Sequence, residues 1–326
     1  MNGARIVSTG MAVPEKELTN AELGARLDVN DSWIVDRSGI RTRRVASPRQ
    51  NAASLGTVAA LNALERAGMA STDVDSIICA TVTSERRFPA TACVIGAALG
   101  TQAPAYDVNA GCSGFLFALA QADAAVRSGS ARCVLVVGTD VMSRITDPYD
   151  TKTAILFGDG AGAVVVGPSA SSALGPFLLR SDGTRSHVLT LDENDHTRME
   201  GREVFRLAVA AMSSSLSELL AREGRDAATV DLVIAHQANQ RILSAVGERV
   251  GLRDEQVFSN ISTYGNTSAG SIPIALHEAQ EDGALREGDI VALTAFGAGF
   301  CWGAGLLQWS PAPVRAELTA IGVEHA

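Results

Sequence analysis

One cysteine stands in a setting that suits a nucleophile. Cys112 lies between two glycines in the stretch DVNAGCSGF, after a predicted strand end and before the apolar run FLFALAQADAAVR. A strand, a Gly-Cys-x-Gly turn and a helix would place the thiol beside the free N–H groups and the positive dipole of the helix start, which favour the thiolate. A buried, inert cysteine is the alternative, and it is the interpretation that we prefer for Cys79, Cys93 and Cys133 in their apolar runs.

A thiol nucleophile needs a base or an electrostatic partner, and one histidine is well placed to be that partner. His236 ends the buried run LVIA and starts the polar turn HQANQR. Sites of parallel α/β sheets form at the carboxyl ends of strands, although a histidine that only caps a strand is the alternative. The other histidines have positions typical of the surface or of a helix face: His187, His196, His277 and His325.

An amide and two glycine-rich stretches complete the candidate chemistry. Asn266 lies in TYGNTSAGS, where a Gly-Asn pair also fits an ordinary turn. The stretch AFGAGFCWG supplies glycines whose backbone amides could face an oxyanion. LFGDGAGAVVVG lacks the GxGxxG spacing and leads into a strand, so we interpret it as a close passage of backbone and not as a dinucleotide site.

Buried strands must position these residues. The apolar runs that predict such strands are 76–82, 133–139, 162–167, 232–236 and 290–296. Continuous apolar runs are typical of strands that are covered on both faces. Helical spacing of apolar residues in 54–69 and 204–224 alternates with these runs, which predicts a layered α/β architecture.

The sequence contains an internal repeat. VDSIICA at Val74 and VDLVIAH at Val230 are 156 residues apart, and the same offset relates CSGFLFAL to SAGSIPIAL. Four elements recur in the same order, which predicts two related halves, 1–170 and 171–326, joined near GPSASSALGP. The repeat also superposes the Cys112 turn on the GNTSAG turn, so we expect both turns to point at one shared site.

Composition excludes several classes of protein. With 46% hydrophobic and 19% charged residues among 326, a sizeable core is expected, and a net charge of −9 argues against a general nucleic-acid binder. Five scattered cysteines without a CxxC pair predict reduced thiols, not a disulfide framework or a zinc site. No run approaches the roughly 20 apolar residues of a membrane span, and no signal-peptide pattern is present, so we expect a cytoplasmic protein without a membrane partner.

Several motifs together resemble one family. DVNAGCSGF, LFGDGAGA, HQANQRI, YGNTSAGSIPIAL and FGAGFCWG, with TNAEL and DSWIVDRSGIRTRR, are similar in order and spacing to the signatures of β-ketoacyl-[acyl-carrier-protein] synthase III. The resemblance covers nearly the whole chain. It implies a thiolase-like α/β fold in which two duplicated halves form a five-layered α-β-α-β-α core. It also implies a homodimer and no permanently bound cofactor or metal ion.

The resemblance implies a Cys–His–Asn triad of Cys112, His236 and Asn266. Cys112 would take an acyl primer from acyl-CoA, and malonyl-acyl-carrier protein would then lose CO₂ to give an enolate that attacks the acyl-cysteine. His236 and Asn266 would donate hydrogen bonds to the enolate oxygen, while the backbone N–H groups of Cys112 and Ala298 would form a second oxyanion hole. The product would be a β-ketoacyl-carrier protein that initiates fatty-acid synthesis.

The same resemblance implies binding residues around the triad. Those for CoA and its pantetheine arm are Trp33, Arg37, Lys152, Phe205, Ala238 and Asn239. Those of a basic patch for the carrier protein and the CoA phosphates are Arg206, Arg241 and Arg249. Those of the acyl pocket are Phe88, Phe157, Leu189 and Phe296. Phe88 resembles the residue that crosses a dimer interface to close the partner's acyl pocket.

The sequence departs from the family pattern at the CoA and carrier sites. Thr151 and Lys152 follow DPYD where an arginine is typical, so bidentate stacking by a guanidinium would be lost. Glu248 occupies a basic position of the carrier patch, and the segment 183–201 beside the acyl pocket is short for the family. These departures affect primer choice, CoA affinity and carrier partner, and leave the triad intact.

Other functions remain as alternatives. A specialised relative could prime a polyketide pathway or transfer an acyl group without condensation. A thiolase would need a second catalytic cysteine before the C-terminal glycine loop, whereas Cys301 follows FGAGF. A non-catalytic binding protein would not need the nucleophile, the histidine and the amide together.

Overall fold

The computed structural model describes residues 3–311, so His325 and the end of the second predicted half lie outside the described residues. The strands are β1 Gly3–Ala12, β2 Glu17–Thr19, β3 Thr42–Arg44, β4 Ser76–Ala80, β5 Ala105–Val108, β6 Val134–Val141, β7 Asp159–Ser169, β8 Leu174–Ser181, β9 Leu189–Leu191, β10 Thr197–Met199, β11 Leu232–Ala235, β12 Val257–Phe258, β13 Ile290–Gly297 and β14 Cys301–Gln308. The α-helices are α1 Asn20–Leu27, α2 Asp31–Ser38, α3 Ala52–Ala67, α4 Thr91–Leu99, α5 Gly114–Ser128, α6 Gly201–Arg222, α7 Gln240–Val250, α8 Ile261–Tyr264 and α9 Ser271–Glu281.

Two five-stranded sheets have the same topology. The first has the order β1-β7-β6-β4-β5, and the second, read from its β8 edge, has the order β8-β14-β13-β11-β12. In the first sheet β4, β5 and β6 are parallel, and β7 is antiparallel to β1 and β6. In the second sheet β11, β12 and β13 are parallel, and β14 is antiparallel to β13 and β8. The equivalent strands β4 and β11, and likewise β6 and β13, begin 156 residues apart.

The strands form where the sequence is continuously apolar. Each of the five predicted runs overlaps one strand. In chain order these strands are β4, β6, β7, β11 and β13. Every residue of β6 and every residue of β11 is buried, as expected for strands covered on both faces. A strand with only one covered face would alternate buried and exposed residues instead.

The sheets and helices stack in five layers. Residues of α3 and α4 pack with one face of the first sheet. The helices α5 and α9 lie between the two sheets, where they share a core cluster with the inner faces of both. Residues of α6 and α7 pack on the outer face of the second sheet. The predicted α-β-α-β-α core is thereby confirmed.

A smaller set of elements covers the ends of the sheets that carry the candidate residues. Residues of α1 and α2 form a separate core cluster with the loop 154–157. The buried guanidinium of Arg43, on β3, donates at 2.8 Å to the carbonyl of Ile155 and at 2.8 Å to Oδ1 of Asn20. The segment that contains α1, α2 and β3 therefore holds the loop that precedes β7 in place.

Among residues 3–311, one helix is long and apolar enough to cross a membrane by length and composition alone. It is α6, of which 56% is buried in its most apolar window. Nine of its side chains, including Met212 and Leu216, are buried, and most of these pack in the core cluster on the second sheet. We therefore interpret α6 as a core helix of this fold.

Candidate active site

Two glycines bring the Cys112 turn against the loop that follows β13. Cys112 lies between β5 and α5, and Gly111 beside it has a φ of 58°, in the left-handed region that glycine favours. A Cβ atom on Gly111 would lie 2.5 Å from the backbone N of Ala298, and one on Gly297 would lie 2.5 Å from the backbone N of Cys112. Only glycine allows this approach, which brings the amides of Cys112 and Ala298 to one place.

His236 follows β11 and is fully buried. Its Nδ1 lies 2.6 Å from Oγ of Ser271, the first residue of α9, and the ring of Phe296 packs edge-on against it with the ring centroids 5.6 Å apart. Its Nε2 is buried and has no hydrogen-bond partner among residues 3–311. Because an unpaired buried nitrogen is costly, a Nε2 atom facing a cavity indicates a position for an incoming group.

Asn266 is fixed by its backbone and by its side chain. Its N–H donates to the carbonyl of Leu156 at 2.8 Å, and its carbonyl accepts from the N–H of Gly158 at 3.0 Å. Its Oδ1 accepts from the N–H of Ser268 at 2.9 Å. Because Oδ1 is the acceptor in this bond, the remaining donor of the amide is Nδ2.

A cavity of about 1400 Å³ brings most of the predicted residues together. Cys112, His236, Asn266 and Ala298 all line it. The other predicted residues in its walls are Trp33, Arg37, Lys152, Phe157, Leu189, Phe205, Ala238, Asn239, Arg241 and Phe296. Three predicted residues lie outside it: Phe88, which is 83% exposed, and the surface residues Arg206 and Arg249.

One wall of the cavity carries guanidinium groups beside aromatic rings. The guanidinium carbon of Arg37 lies 3.9 Å from the centroid of the Trp33 ring, and that of Arg241 lies 5.7 Å from the Phe205 ring. Asn239 caps α7 by accepting from the N–H of Arg241 at 2.9 Å, and its Nδ2 donates to the carbonyl of Arg37 at 2.9 Å. These contacts tie α2, α6 and α7 together.

Another part of the cavity is apolar. Its side chains come from the loop after β4, from the segment that joins β6 to β7 and from the segment that joins β8 to α6. They are Val82, Met142, Ile145, Ile155, Leu156, Phe157, Leu189, Leu191 and Met199. A lining of this kind suits an acyl chain, with the few polar groups placed near the reacting atoms.

Burial has the largest effect on the pKa values of Cys112 and His236, the two titratable groups among the candidate catalytic residues. Burial raises the pKa of the Cys112 thiol to about 12, a hydrogen bond from Ser268 opposes the rise, and the charge of Asp140 adds to it. Burial lowers the pKa of His236 to about 3. Near pH 7 the resting site therefore holds a neutral thiol and a neutral imidazole. Burial of Cys112, which lines the cavity and is partly exposed, thus acts against the thiolate that the helix start favours.

The sequence did not single out three polar groups that lie close to Cys112, His236 and Asn266. Ser268 Oγ lies 3.3 Å from the Cys112 sulfur, Ser271 contacts His236, and the buried Asp140 lies behind Ser268 at the end of β6. Both serines lie in the motif YGNTSAGSIPIAL, so their proximity to Asn266 was visible. Asp140 ends an apolar strand, which is the same signal that singled out His236.

Two family models match the chain. The description "3-Oxoacyl-[acyl-carrier-protein (ACP)] synthase III" matches residues 106–183, and its C-terminal counterpart matches residues 220–309. A β-ketoacyl-[acyl-carrier-protein] synthase III of Caldanaerobacter subterraneus is 44% identical over 325 residues, covering 94% of this chain and 98% of the relative. The chain belongs to the β-ketoacyl-[acyl-carrier-protein] synthase III family.

Solved structures of β-ketoacyl-[acyl-carrier-protein] synthase III agree with this membership. The enzyme of Aquifex aeolicus superposes with a TM-score of 0.92 at 43% identity, over 94% of this chain and 100% of that chain. A priming β-ketosynthase from the R1128 polyketide pathway superposes with a TM-score of 0.91 at 34% identity, over 96% and 97%.

Family membership confirms the resemblance and the thiolase-like fold that it implied. The protein is an acyltransferase, a condensing enzyme that initiates fatty-acid synthesis. Among the described residues, no group of three or more His, Cys, Asp or Glu side chains is placed to hold a metal ion.

Proposed function

We propose that Cys112, His236 and Asn266 are the catalytic residues of this condensing enzyme. The observation that carries the proposal is that the three side chains line one cavity although they belong to three separate parts of the fold. These parts are the turn before α5, the end of β11 and the turn before α9. Helix starts and parallel strand ends are the positions from which an α/β fold presents reactive groups.

In the loading step, Cys112 attacks the thioester carbonyl of an acyl-CoA. The S–H bond of Cys112 breaks, a bond between its sulfur and the acyl carbon forms, and the bond between that carbon and the CoA sulfur breaks. His236 Nε2 accepts the thiol proton and returns it to the CoA sulfur, so that CoA leaves as a thiol. The Ser271 hydroxyl can accept from or donate to Nδ1, so it supports both imidazole tautomers.

In the condensation step, malonyl-carrier protein loses CO₂ and the resulting enolate carbon forms a bond to the acyl carbon of the acyl-cysteine. The bond between that carbon and the Cys112 sulfur breaks, so that Cys112 leaves as a thiolate and regains a proton from solvent. Nδ2 of Asn266 and Nε2–H of His236 donate to the enolate oxygen, where negative charge develops. Burial lowers the pKa of His236 to about 3, so the imidazole is neutral near pH 7. In the tautomer that carries its proton on Nε2, this neutral ring can donate to the enolate oxygen. Each preorganised donor in a dry site contributes roughly 3 kcal/mol to lowering the barrier.

The backbone N–H groups of Cys112 and Ala298 form the second oxyanion hole, for the thioester oxygen of the acyl-cysteine. The close approach of Gly111 and Gly297 supports this role, because it brings the two N–H groups together and leaves no room for a side chain at either glycine. The proposed chemistry therefore uses side chains, backbone amides and two substrates, without a resident cofactor.

CoA is proposed to bind along the wall formed by α2, α6 and α7. Trp33 offers an aromatic face to the adenine, with Arg37 beside it, and Lys152 supplies a charge for a phosphate. The pantetheine arm runs past Phe205, Ala238 and Asn239, which line the cavity between this wall and the triad. A single ammonium at Lys152 gives point-charge contact where arginine would give a planar fork.

The carrier protein is proposed to dock beside the same opening, on Arg206, Arg241 and Arg249. Arg241 lines the cavity, while Arg206 and Arg249 are exposed on α6 and α7. Arg206 is paired with Glu203, its bonds to that carboxylate being 2.9 and 2.5 Å long. An acidic carrier would compete with Glu203 for this guanidinium, in a contact that weakens with salt.

We infer a homodimer that is located in the cytoplasm. Phe88 is 83% exposed and lies outside the cavity of its own chain, which suits a residue that closes the acyl pocket of a second copy. The strand β5 is an edge of the first sheet, and Tyr106 on it is 41% exposed, so this edge can pair with its counterpart.

The proposal is tested by loading and then condensation. The protein is incubated with a panel of acyl-CoAs, the mass gained on Cys112 is measured, and malonyl-carrier protein is added. Wild type should acquire one acyl group on Cys112 and then release CO₂ with a β-ketoacyl product. Cys112→Ala should acquire none. Cys93→Ala should behave as wild type, because it removes a thiol that is exposed, and not buried as the sequence predicted, and that lies outside the cavity. Acylation of Cys112→Ala at the wild-type rate would show that the nucleophile is assigned wrongly.

The same panel separates a primary initiator from a specialised relative. The polyketide-priming β-ketosynthase, which superposes over nearly the whole chain, makes polyketide priming the second candidate. Preference for a short primer followed by CO₂ release supports fatty-acid initiation. Preference for another primer, again with CO₂ release, supports polyketide priming, whereas acyl transfer to a carrier without CO₂ release supports a specialised acyltransferase.

A further inference from the structure

Ser268 occupies a backbone conformation that serine rarely adopts. Its φ is 51°, and the residue is fully buried. A non-glycine residue in the left-handed region costs of the order of 1–2 kcal/mol. Strain of this kind concentrates at functional sites, so the side chain at this position calls for a role that glycine could not fill.

The Ser268 hydroxyl lies between two groups that can each accept its single proton. On one side Oγ is 3.3 Å from the sulfur of Cys112. On the other side it faces the carboxyl group of Asp140, where burial raises the pKa and the contact with Ser268 opposes the rise. A hydroxyl has one donor and two acceptor sites, so it can donate to only one of these groups at a time.

The carboxylate of Asp140 is held in place by other donors. Its Oδ1 accepts from Thr81 Oγ1 at 3.0 Å, from the N–H of Val82 at 2.8 Å, and from the N–H and hydroxyl of Thr83 at 3.1 and 2.9 Å. Its Oδ2 accepts from the N–H of Ala269 at 3.1 Å. Five donors keep the buried carboxylate an acceptor even when Ser268 turns away.

We propose that Ser268 is a hydroxyl switch that holds the Cys112 sulfur in two protonation states. With the thiol neutral, the S–H of Cys112 donates to Ser268 Oγ and the Ser268 hydroxyl donates to Asp140. When Cys112 loses its proton, the Ser268 hydroxyl rotates and donates to the thiolate. Ser268 keeps its own proton throughout, and the thiol proton ends on the CoA sulfur. Ser268 therefore stabilises the nucleophile, and Asp140 is a positioning residue.

The switch rests on the proposed role of Cys112 as nucleophile and adds a residue to it. The titratable groups that face the Cys112 sulfur in the described chain are Asp140 from β6 and His236 after β11. Burial has the largest effect on the pKa of Cys112, and because His236 is neutral near pH 7, the side chains that modify this pKa are Ser268, which lowers it, and Asp140, which raises it.

The test is the rate of Cys112 alkylation by iodoacetamide, read on the Cys112 peptide by mass spectrometry at a series of pH values between 6 and 10. Because the pKa of Cys112 lies above this range, the rate at each pH follows the small fraction of thiolate, and a displaced pH profile appears as a faster or slower rate. Ser268→Gly removes the hydroxyl and also relieves the left-handed strain, so the variant should fold at least as stably as wild type. We expect its profile to lie about one pH unit higher, with acyl loading about tenfold slower at pH 7.5, for the loss of one hydrogen bond to a charged acceptor.

Controls separate this role from a structural one. Ser213→Ala removes a buried hydroxyl on α6 that lies outside the cavity, and its profile should match wild type. Loosening of the site by Ser268→Gly would admit water and move the profile to lower pH, because burial is what raises the pKa of Cys112. An unmoved profile, or one moved to lower pH, overturns the switch.

A second variant tests the contact between Ser268 and Asp140. Asp140→Asn removes the negative charge beside the sulfur and frees the Ser268 hydroxyl for the thiolate, so its profile should move to lower pH. The same direction of change in both variants would contradict the opposite roles of Ser268 and Asp140. If wild-type Cys112 takes no acyl group from any acyl-CoA, the proposed function fails, whereas the alkylation profiles still report on the switch.

Discussion

Nδ1 of His236 and Oγ of Ser271 lie 2.6 Å apart, between the end of one strand and the first residue of a helix. The contact leaves Nε2 as the ring nitrogen available to the cavity. The orientation of the proposed catalytic imidazole thus depends on a hydroxyl that starts α9, five residues after Asn266.

Ser271→Ala should slow condensation by about 10–100-fold, because the imidazole loses a hydrogen bond that fixes its ring and tautomer. Single-turnover release of CO₂ from malonyl-carrier protein on acyl-loaded enzyme measures the effect. Ser214→Ala, which removes an exposed hydroxyl from α6, is the matched control. A Ser271→Ala enzyme that condenses at the wild-type rate would mean that packing against Phe296 alone orients the ring.

The stability of the protein should depend on His236 in acid. Burial lowers the pKa of His236 to about 3 in the folded protein, against about 6.5 in the unfolded chain. Between these values only the unfolded chain takes up the proton, so the free energy of unfolding falls as the pH falls below 6.5. From this histidine alone we expect a loss of about 2 kcal/mol between pH 7.5 and pH 5.

Urea unfolding of wild type and His236→Gln at the two pH values measures this difference. The variant should lose less stability in acid, while His187→Gln, at an exposed position, should keep the wild-type dependence. Equal acid dependence of wild type and His236→Gln would place the titration elsewhere, for example at His277, whose pKa burial also lowers.

Asn266→Asp should separate the two half-reactions. The carboxylate keeps the acceptor for the N–H of Ser268 but has no donor for the enolate oxygen. Decarboxylation should fall by about 10²–10³-fold, the cost of one oxyanion-hole donor, while Cys112 is still acylated. Acyl loading by intact mass and CO₂ release are measured on the same preparation, and equal losses in both would contradict a role confined to the enolate.

Gly297→Ala should strongly slow the acylation of Cys112. The added Cβ would lie 2.5 Å from the backbone N of Cys112, so the two loops must separate and the oxyanion amides with them. We expect loading to fall by at least about 10²-fold, as for the loss of an oxyanion donor. Gly183→Ala is the control, because nothing lies within 4 Å of its new Cβ. Near-normal loading by Gly297→Ala would show that the loops can separate without cost.

The fold was largely readable because its cores are made from continuous apolar runs. The strands β4, β6, β7, β11 and β13 all overlap predicted runs, and the offset of 156 residues that related two motifs also relates two pairs of equivalent strands. The covering elements α1 and α2 carried no such signal, since their position depends on contacts with the loop 154–157 that are distant in sequence.

The candidate site was readable where a residue type stands at a strand or helix end, as with Cys112 and His236. The protonation of Cys112 was not, because it depends on how much water the finished cavity excludes. Nor was the position of Ser268, whose left-handed φ and contact with a sulfur 156 residues away arise only when the turns before α5 and α9 meet.

The shared middle layer has a consequence for how substrates arrive. Cys112 precedes α5 and Asn266 precedes α9, and both helices are clamped between the two sheets. A hinge motion that separated the two halves would therefore also separate Cys112 from Asn266. The acyl groups that we propose to arrive on CoA or on a carrier protein must therefore reach Cys112 through the opening of the cavity, which the long, narrow pantetheine arm shared by both carriers would allow.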